Sequence, residues 1–169
     1  SYLARQLKRW STQWAKSKTR DLPEMEAAHA ELEAKMPEQL GSVIVHGDFR
    51  LGNFLSNGAK GRIEAVLDWE LCTLGDPLAD VGYLINDWNG PGDDRTTASG
   101  TGLSSTSCCG FPSRETILEC YEELTGYSTK GVDYYRAFQY WRLAAIIEGV
   151  LARYKQGVMG DRVDLGACE

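Results

Sequence analysis

The sequence predicts an α+β fold that is mainly helical and contains one small β-hairpin. Two observations lead to this prediction. Apolar residues recur at helical spacing in both terminal parts of the chain, and two short apolar runs, residues 43–45 and 63–67, lie between them. An Asn57-Gly58 turn separates the two runs, which is typical of a hairpin. Polar residues follow both runs, so we expect the function to reside in residues 43–82.

The N-terminal part is predicted to form two helices, residues 2–18 and 24–35, separated by an Asp-Leu-Pro break. In the first helix, four apolar residues recur at intervals of four, three and four and therefore share one face. They are Leu3, Leu7, Trp10 and Trp14. Both helices are expected to bury their apolar sides.

The hairpin is predicted from a strand at residues 42–46, a loop at 47–53, a short strand at 54–55 and a second strand at 62–67. A turn-rich segment, 72–77, is expected to follow. A helix over 78–87 comes next, because Asp76 is a good N-cap and Pro77 suits the first helical position.

The C-terminal part contains three further predicted elements. Residues 89–112 are rich in Gly, Ser, Thr and Asp without periodicity, which indicates a long flexible loop, either a lid over the site or a plain insert. A helix over 113–125 is capped by Ser113 and ended by Gly126, and its inward residues are predicted to be Ile117, Tyr121 and Leu124. The helix over 133–155 has a wide apolar surface, which predicts a buried central helix.

Composition excludes several classes of function. The 169 residues are 43% apolar and 25% charged, which is typical of one globular domain. The net charge of -6 provides no basic stripe, so binding to extended nucleic acid is not expected. Neither a secretion signal nor an apolar run of membrane-spanning length is present in the sequence. Five cysteines without a CxxC pair indicate a reducing, cytoplasmic location and do not favour structural zinc.

The residues of the central loop suit phosphoryl transfer. Asp48 follows a strand and a glycine, where an exposed carboxylate can accept a proton as a general base. Asn53 and Asp68 offer hard oxygen ligands of the kind that Mg²⁺ takes together with the phosphates of a substrate. Arg50 lies between them and can offset negative charge on a transferring phosphoryl group.

Two motifs in this stretch resemble those of a known family. HGDFRLGN, residues 46–53, matches the catalytic-loop pattern H-x-D-x-x-x-x-N of kinase-like phosphotransferases, with the glycine of the aminoglycoside and choline phosphotransferase branch. VLDWELCTLGDPLADVGYL, residues 66–84, looks like the metal-binding segment and following helix of that branch. More narrowly, the run from His46 to Tyr83 resembles the phosphotransferase domains associated with acyl-CoA dehydrogenases.

The resemblance implies the C-terminal lobe of a protein-kinase-like fold, in which the hairpin carries the catalytic and metal-binding loops. It implies that Asp48 is the catalytic base, that Asn53 is a metal ligand, and that Asp68 is the principal ligand of a Mg²⁺ bridging the phosphates of ATP or GTP. Arg50 falls where protein kinases have a lysine that contacts the γ-phosphate.

Four further residues are predicted to support the site. His46 is expected to organise the loop backbone rather than carry a proton, because Asp48 already fills the role of base. Asp76 and Asp80 are expected to brace the catalytic loop through backbone N-H groups. Glu70 is either an assisting metal ligand or a solvated carboxylate.

The region before His46 differs from a complete enzyme of this fold, because it contains no strand carrying the lysine that contacts the α- and β-phosphates. We therefore expect residues 1–169 to be a single C-terminal lobe, part of a longer protein without its nucleotide-binding N-terminal lobe. Such a chain should have little activity alone. It should also expose apolar surface that favours self-association.

The function predicted from the sequence is Mg²⁺-dependent phosphoryl transfer from ATP or GTP to a hydroxyl of a small molecule. The resemblance suggests a hydroxyacyl-CoA-like metabolite as acceptor. One alternative is a non-catalytic binding or scaffold module of the same fold. Another is a metal-dependent hydrolase built on Asp48, Asp68 and Asp76, which lacks the histidine ligands usual for that chemistry.

Overall fold

The computed structural model describes residues 1–89, 106 and 110–157, and it confirms a mainly helical α+β architecture. The helices are α1 (Tyr2–Ser17), α2 (Pro23–Ala34), α3 (Leu78–Leu84), α4 (Arg114–Thr125) and α5 (Val132–Lys155). The strands are β1 (Val43–Val45), β2 (Phe54–Asn57), β3 (Arg62–Val66) and β4 (Thr73–Gly75). Most of the predicted loop over 89–112 lies outside the described residues.

The chain divides into two compact units. The helical unit consists of Ser1–Glu38 together with the described part of Ala137–Glu169, and thus contains α1, α2 and most of α5. The mixed unit, Gln39–Arg136, contains the four strands, α3, α4 and the first residues of α5. Within the described residues, no helix has the length and apolar character needed to cross a bilayer.

The helical unit buries the apolar faces that the periodicity predicts. Leu3, Leu7 and Trp14 of α1 are buried, and the indole N-H of Trp141 in α5 donates to the backbone carbonyl of Met25 in α2 at 3.1 Å. Trp10, which was predicted to share this face, is only partly buried.

A buried carboxylate holds the turn that follows α1. Glu148 accepts hydrogen bonds from the backbone N-H (2.7 Å) and hydroxyl (2.6 Å) of Thr19, and it pairs with the guanidinium of Arg20 at 3.2 Å. Burial alone raises the pKa of Glu148, but these donors outweigh it and lower the pKa below its ordinary value.

The mixed unit contains two small antiparallel sheets rather than one hairpin. The predicted pairing of residues 43–45 with 63–67 was wrong, because β3 pairs with its neighbour β2, with an irregularity at Leu55 and Ser56. Strand β1 pairs with β4, with Val45 opposite Thr73. The prediction of a turn-rich segment over residues 72–77 was therefore wrong for Thr73–Gly75, which form β4. A strand of three residues beside glycine and proline is too short to show alternation, and its partner lies far away in sequence.

Exposed apolar residues mark the surfaces of both sheets. Ile44 and Leu74 face each other across the β1–β4 pair and are 69% and 61% exposed. Leu55 and Ile63, on β2 and β3, are also more than half exposed. The apolar surface expected from the sequence is therefore present on these strands.

Two predicted details of the mixed-unit helices were wrong. The helix predicted over 78–87 ends at Leu84, and turns continue the chain to Asp87. Leu124 is 86% exposed, not inward. The reason is that every residue from 122 to 126 is exposed, so the last turn of α4 extends past the core on which Ile117 and Tyr121 pack.

The core of the mixed unit joins α3 to the start of α5. Val81, Ile85, Trp88 and Val132 form a buried cluster. Gly82 allows a close approach, because a Cβ at this position would lie 2.6 Å from the Cβ of Tyr135. This contact fixes α3 firmly behind the loop that carries the predicted site.

Candidate phosphotransferase site

Asp48 and Asn53 are joined directly in the loop that follows β1. The side-chain amide of Asn53 donates to the backbone carbonyl of Asp48 at 2.8 Å and to its Oδ2 at 2.9 Å. A short 3-10 helix, Leu51–Asn53, creates this approach by returning the chain toward Asp48. Both amide hydrogens of Asn53 are used, so the amide orientation is fixed and its Oδ1 is left as an available acceptor.

His46 connects this loop to the segment that follows β3. Its Nδ1 accepts from the backbone N-H of Asp48 at 3.2 Å, which places the proton on Nε2. Nε2 then donates to the backbone carbonyl of Leu67 at 2.8 Å. The ring is buried and packs against Trp69, with centroids 4.7 Å apart. One neutral imidazole therefore holds the residues beside Asp48 and Asp68.

Helix α3 supplies two groups to the same loop. The carboxylate of Asp80 accepts from the backbone N-H of His46 at 2.6 Å and of Gly47 at 2.9 Å. Tyr83, one turn further along α3, is hydrogen-bonded to the carboxylate of Asp48. Gly47 has a positive φ of 87°, and a Cβ there would lie 3.0 Å from the carbonyl oxygen of Leu71. The loop is thus bound tightly on both sides.

The carboxylate of Asp48 is held in its ionised form. Partial burial by itself raises its pKa. Hydrogen bonds from Tyr83 and Asn53, together with the charge of Arg50, more than offset that effect and keep the pKa of Asp48 below its ordinary value. The group is therefore an ionised acceptor at neutral pH.

Arg50 forms an ion pair with Asp48, with Nε 3.3 Å from Oδ2. Its side chain is half exposed and lies against Gly52, where a Cβ would be 3.3 Å from the Nη1 atom. The guanidinium thus stands at the open side of the loop.

Asp68 has an unusual backbone. It adopts the left-handed conformation, φ 66° and ψ 54°, and among the described residues no other non-glycine residue has a positive φ. Its neighbours on the chain fix it, because the N-H of Leu67 donates to the carbonyl of Asn53 at 2.8 Å and the indole of Trp69 donates to the carbonyl of Val66 at 2.8 Å. The carboxylate of Asp68 is exposed and makes no hydrogen bond or ion pair within the described part of the chain.

The other two predicted supporting residues make none of the hydrogen bonds given above, and Asp76 bonds to backbone outside residues 46–53 rather than to the catalytic loop as predicted. Glu70 is exposed in a short 3-10 helix, Trp69–Leu71. Asp76 is completely buried, and its two oxygens accept from the backbone N-H groups of Leu40 and Leu78, each at 3.0 Å. Within the described residues, no three His, Cys, Asp or Glu side chains cluster to hold a metal.

Comparison with known proteins agrees with the geometry. Residues 1–101 match the sequence profile of the APH phosphotransferase enzyme family. The chain belongs to this phosphotransferase family. A solved structure from Ralstonia eutropha, provisionally named an aminoglycoside phosphotransferase, matches 99% of the chain with a TM-score of 0.82 and 34% identity. The fold is therefore the kinase-like fold of the aminoglycoside phosphotransferases.

The curated relatives of this chain are named as acyl-CoA dehydrogenases rather than as phosphotransferases. Acyl-CoA dehydrogenase family member 10 of Mus musculus is 35% identical over 160 residues, and family member 11 of Homo sapiens is 31% identical over 159 residues. The chain spans 15% and 20% of their respective lengths, and 51% of the Ralstonia eutropha protein.

Two features of this phosphotransferase site were not predicted. Tyr83 had no assigned role, although it follows Asp80 by three residues and so shares its face of α3. That spacing is a usable signal. The left-handed backbone of Asp68 was not predicted, because positive φ is uncommon in non-glycine residues even though Asp is enriched several-fold among them.

Proposed function

We propose that this chain carries the catalytic base and the metal ligands for Mg²⁺-dependent transfer of a phosphoryl group from ATP or GTP to a hydroxyl of a small molecule, as one lobe of a longer protein and with little activity alone. The observation that carries the proposal is the coupling of two loops. The side chains of Asp48 and Asn53 are hydrogen-bonded to each other. His46 bonds both to the backbone N-H of Asp48 and to the backbone carbonyl of Leu67, the residue before Asp68. Membership of the phosphotransferase family supports the reaction class.

In this proposal Asp48 accepts the proton of the acceptor hydroxyl. Its lowered pKa makes it a weak base, which suits phosphoryl transfer because the transition state is loose and most catalysis comes from positioning. Tyr83 and Asn53 hold the carboxylate in place. Arg50 turns from Asp48 toward the transferring group and offsets its negative charge.

The donor set fits Mg²⁺. Asn53 offers its amide oxygen, which is held in place because the NH₂ group of the same side chain makes two hydrogen bonds. Asp68 has a strained backbone, and its carboxylate oxygens accept no hydrogen bond within the described residues. These two residues would hold the ion, with water and nucleotide oxygens completing its shell. When bound, the ion would offset charge on the phosphates. His46, Asp76 and Asp80 support the backbone in this scheme.

Isothermal titration of ATP and GTP, with and without Mg²⁺, tests the proposal. We expect the Asp68→Ala variant to lose the Mg²⁺-dependent part of nucleotide affinity, by about tenfold or more. Glu123→Ala, which removes an exposed carboxylate from α4, is the matched control and should bind as the parent does. The Glu70→Ala variant decides whether that exposed residue assists the ion or is merely solvated.

If Asp68→Ala binds nucleotide with the same dependence on Mg²⁺ as the parent, the proposal is contradicted and the scaffold alternative is favoured. The Asp48→Asn variant adds a second criterion. It should retain Mg²⁺-nucleotide binding while losing phosphoryl transfer, because the amide cannot accept the proton.

For the acceptor, we propose a hydroxyacyl-CoA-like metabolite. The support is the similarity to proteins named acyl-CoA dehydrogenase family members 10 and 11. Phosphorus NMR of the chain with ATP, Mg²⁺ and a 3-hydroxyacyl-CoA should reveal a new phosphoester resonance after long incubation, because we expect the chain alone to have little activity. An acyl-CoA without the hydroxyl is the control, and equal consumption of ATP with both compounds would reject this acceptor.

We also propose that the exposed strands favour self-association and that the protein is cytoplasmic. Ile44 and Leu74 form an exposed apolar pair, so Ile44→Lys should lower the mass measured by light scattering at high concentration. Cys72 and Cys120 are free, exposed thiols, as expected in a reducing compartment. Thiol titration of protein isolated without reductant should find both reduced.

A further inference from the structure

A cavity of about 370 Å³ lies between α1 and α5 in the helical unit, and none of its described lining residues belongs to the proposed phosphotransferase site. Its wall on α1 begins at Arg9 and ends at Ser17, and its wall on α5 begins at Ala145. Small residues on α5 leave the space open, because Ala145, Gly149 and Ala152 stand one above another at helical spacing. The volume is within the usual range for small-molecule sites.

The polar part of the lining is cationic. Arg9, Lys16 and Arg153 contribute three positive charges, and Gln13 and Gln156 contribute amide groups. No carboxylate belongs to the described lining. The nearest acidic neighbour along α5 is already engaged with the turn after α1. A cavity with this lining attracts an anion that carries several acceptor oxygens.

The surrounding sequence strengthens that charge. Residues 1–20 contain six Lys or Arg and no Asp or Glu, although the whole chain has a net charge of -6. Guanidinium groups of Arg9 and Arg142 also lie over the indole of Trp10, at 5.4 Å and 5.6 Å from its centroid. Of the six cations, Arg9 and Lys16 line the cavity, whereas Lys18 and Arg20 pair with Glu26 and Glu148, so the positive charge at the cavity comes from Arg9 and Lys16 of α1 together with Arg153 of α5.

The other part of the lining is apolar. The indole of Trp10 and the side chains of Ala145, Ile146 and Ala152 provide it. A fully solvated inorganic ion would leave this wall unused. An organic anion with an apolar body would contact both parts of the lining at once.

We infer that this cavity binds a small phosphomonoester with an apolar body. Phosphate is favoured over carboxylate because it carries nearly two negative charges at pH 7 and three strong acceptor oxygens, which suits three cations and two amides. Arginine is also the side chain best shaped for paired contacts with phosphate oxygens. The inference is independent of the proposed phosphotransferase activity.

Octyl phosphate is the probe for the test, with octanoate, inorganic phosphate and the neutral octyl glucoside as comparison ligands. Titration calorimetry of the chain should give the highest affinity for octyl phosphate. In ¹⁵N NMR, the shifted backbone amides should fall within residues 9–17 and 145–156. Equal binding of octyl glucoside or of octanoate would overturn the inference, as would shifts located elsewhere.

Two kinds of variant locate the binding. The double variant Lys16→Glu with Arg153→Glu should weaken octyl phosphate binding by about tenfold or more. Lys8→Glu reverses an exposed charge on the same helix outside the cavity and should change affinity by less than about twofold. A similar loss in both would show non-specific attraction and reject the site.

Gly149→Leu fills the cavity without changing charge. A Cβ at Gly149 meets only ordinary contacts, the nearest being the hydroxyl oxygen of Ser17 at 3.6 Å, so circular dichroism should report an intact fold. Octyl phosphate binding should be lost in this variant. Asp68→Ala should bind octyl phosphate as the parent does, which separates this cavity from the proposed metal site. Unchanged affinity in Gly149→Leu would overturn the inference.

Discussion

Replacing Asp68 by glycine, alanine or asparagine separates the cost of its backbone conformation from the use of its carboxylate. The residue stands at φ 66° and ψ 54°, where the Cβ of an L-amino acid lies too close to the following carbonyl. Asp often offsets this by a local hydrogen bond, but Asp68 makes no capping bond with its side chain. The strain therefore has no local compensation.

The expected magnitudes follow from that geometry. A residue with a Cβ in the left-handed conformation lowers the stability of the fold by about 1–2 kcal/mol, and glycine avoids this cost. Glycine has its own cost of about 0.5–1 kcal/mol, because its unfolded chain has more conformational entropy to lose on folding. Asp68→Gly should thus be as stable as the parent or up to about 1 kcal/mol more stable. Asp68→Ala should be about 1 kcal/mol less stable than Asp68→Gly, with Asp68→Asn between them.

Urea unfolding monitored by circular dichroism, without metal, measures the stability order. The same proteins are then titrated with Mg²⁺ and ATP. We expect the most stable variant, Asp68→Gly, to bind the metal-nucleotide about tenfold or more weakly than the parent, so that stability and binding change in opposite directions. An alanine variant more stable than the glycine variant would refute the strain argument. Undiminished binding by Asp68→Gly would refute the role of the carboxylate.

Three other predictions concern the elements around the site. Asp80→Ala removes the carboxylate that accepts from the backbone N-H groups of His46 and Gly47, and it should lower the free energy of unfolding by about 2–4 kcal/mol. Asp80→Asn, which retains one acceptor oxygen, should cost about half as much in the same urea experiment. Gly82→Ala would place a Cβ 2.6 Å from that of Tyr135 and should destabilise by about 1–3 kcal/mol. Gly149→Ala, whose Cβ would make only ordinary van der Waals contacts, should stabilise by about 0.5–1 kcal/mol, and equal effects of the two substitutions would contradict the packing argument. Glu148→Gln should destabilise the protein at neutral pH, and the difference in stability between variant and parent should shrink in acid. The reason is that a carboxylate with a lowered pKa stabilises the fold at pH values above its ordinary pKa of 4.5 and loses that effect as the pH falls through the folded pKa. A pH-independent difference in melting temperature would argue against this.

The helices could be predicted because their signals are local. The start of α4 follows from Ser113, whose hydroxyl accepts from the backbone N-H of Thr116, and its end follows from Gly126 at φ 74°. Helix α5 was predicted to within one residue at its start, from periodicity alone. Such patterns depend on neighbours three or four residues apart, which the sequence displays directly.

Strand β4 could not be predicted because its evidence is not local. Three residues pair with β1 across a long separation, and nothing in Thr73-Leu74-Gly75 distinguishes a strand from a turn. In the site, too, contacts between residues close in sequence could be predicted, whereas contacts between distant residues could not. The spacing between Asp48 and Asn53 indicated that they act together, but the contact of Tyr83 with Asp48 depends on how α3 is placed by packing. The catalytic and metal-binding roles of these residues stay predictions.

The pairing of β1 with β4 has a consequence for how the site forms and opens. Val45 opposite Thr73 closes a chain loop over residues 46–72 that contains Asp48, Asn53 and Asp68. Closing a loop of this length costs about 3 kcal/mol in chain entropy beyond a constant, yet each strand has only three residues to offset it. The loop therefore forms late in folding and opens as one cooperative segment, so its backbone amides should exchange with solvent together and before those of the buried helices.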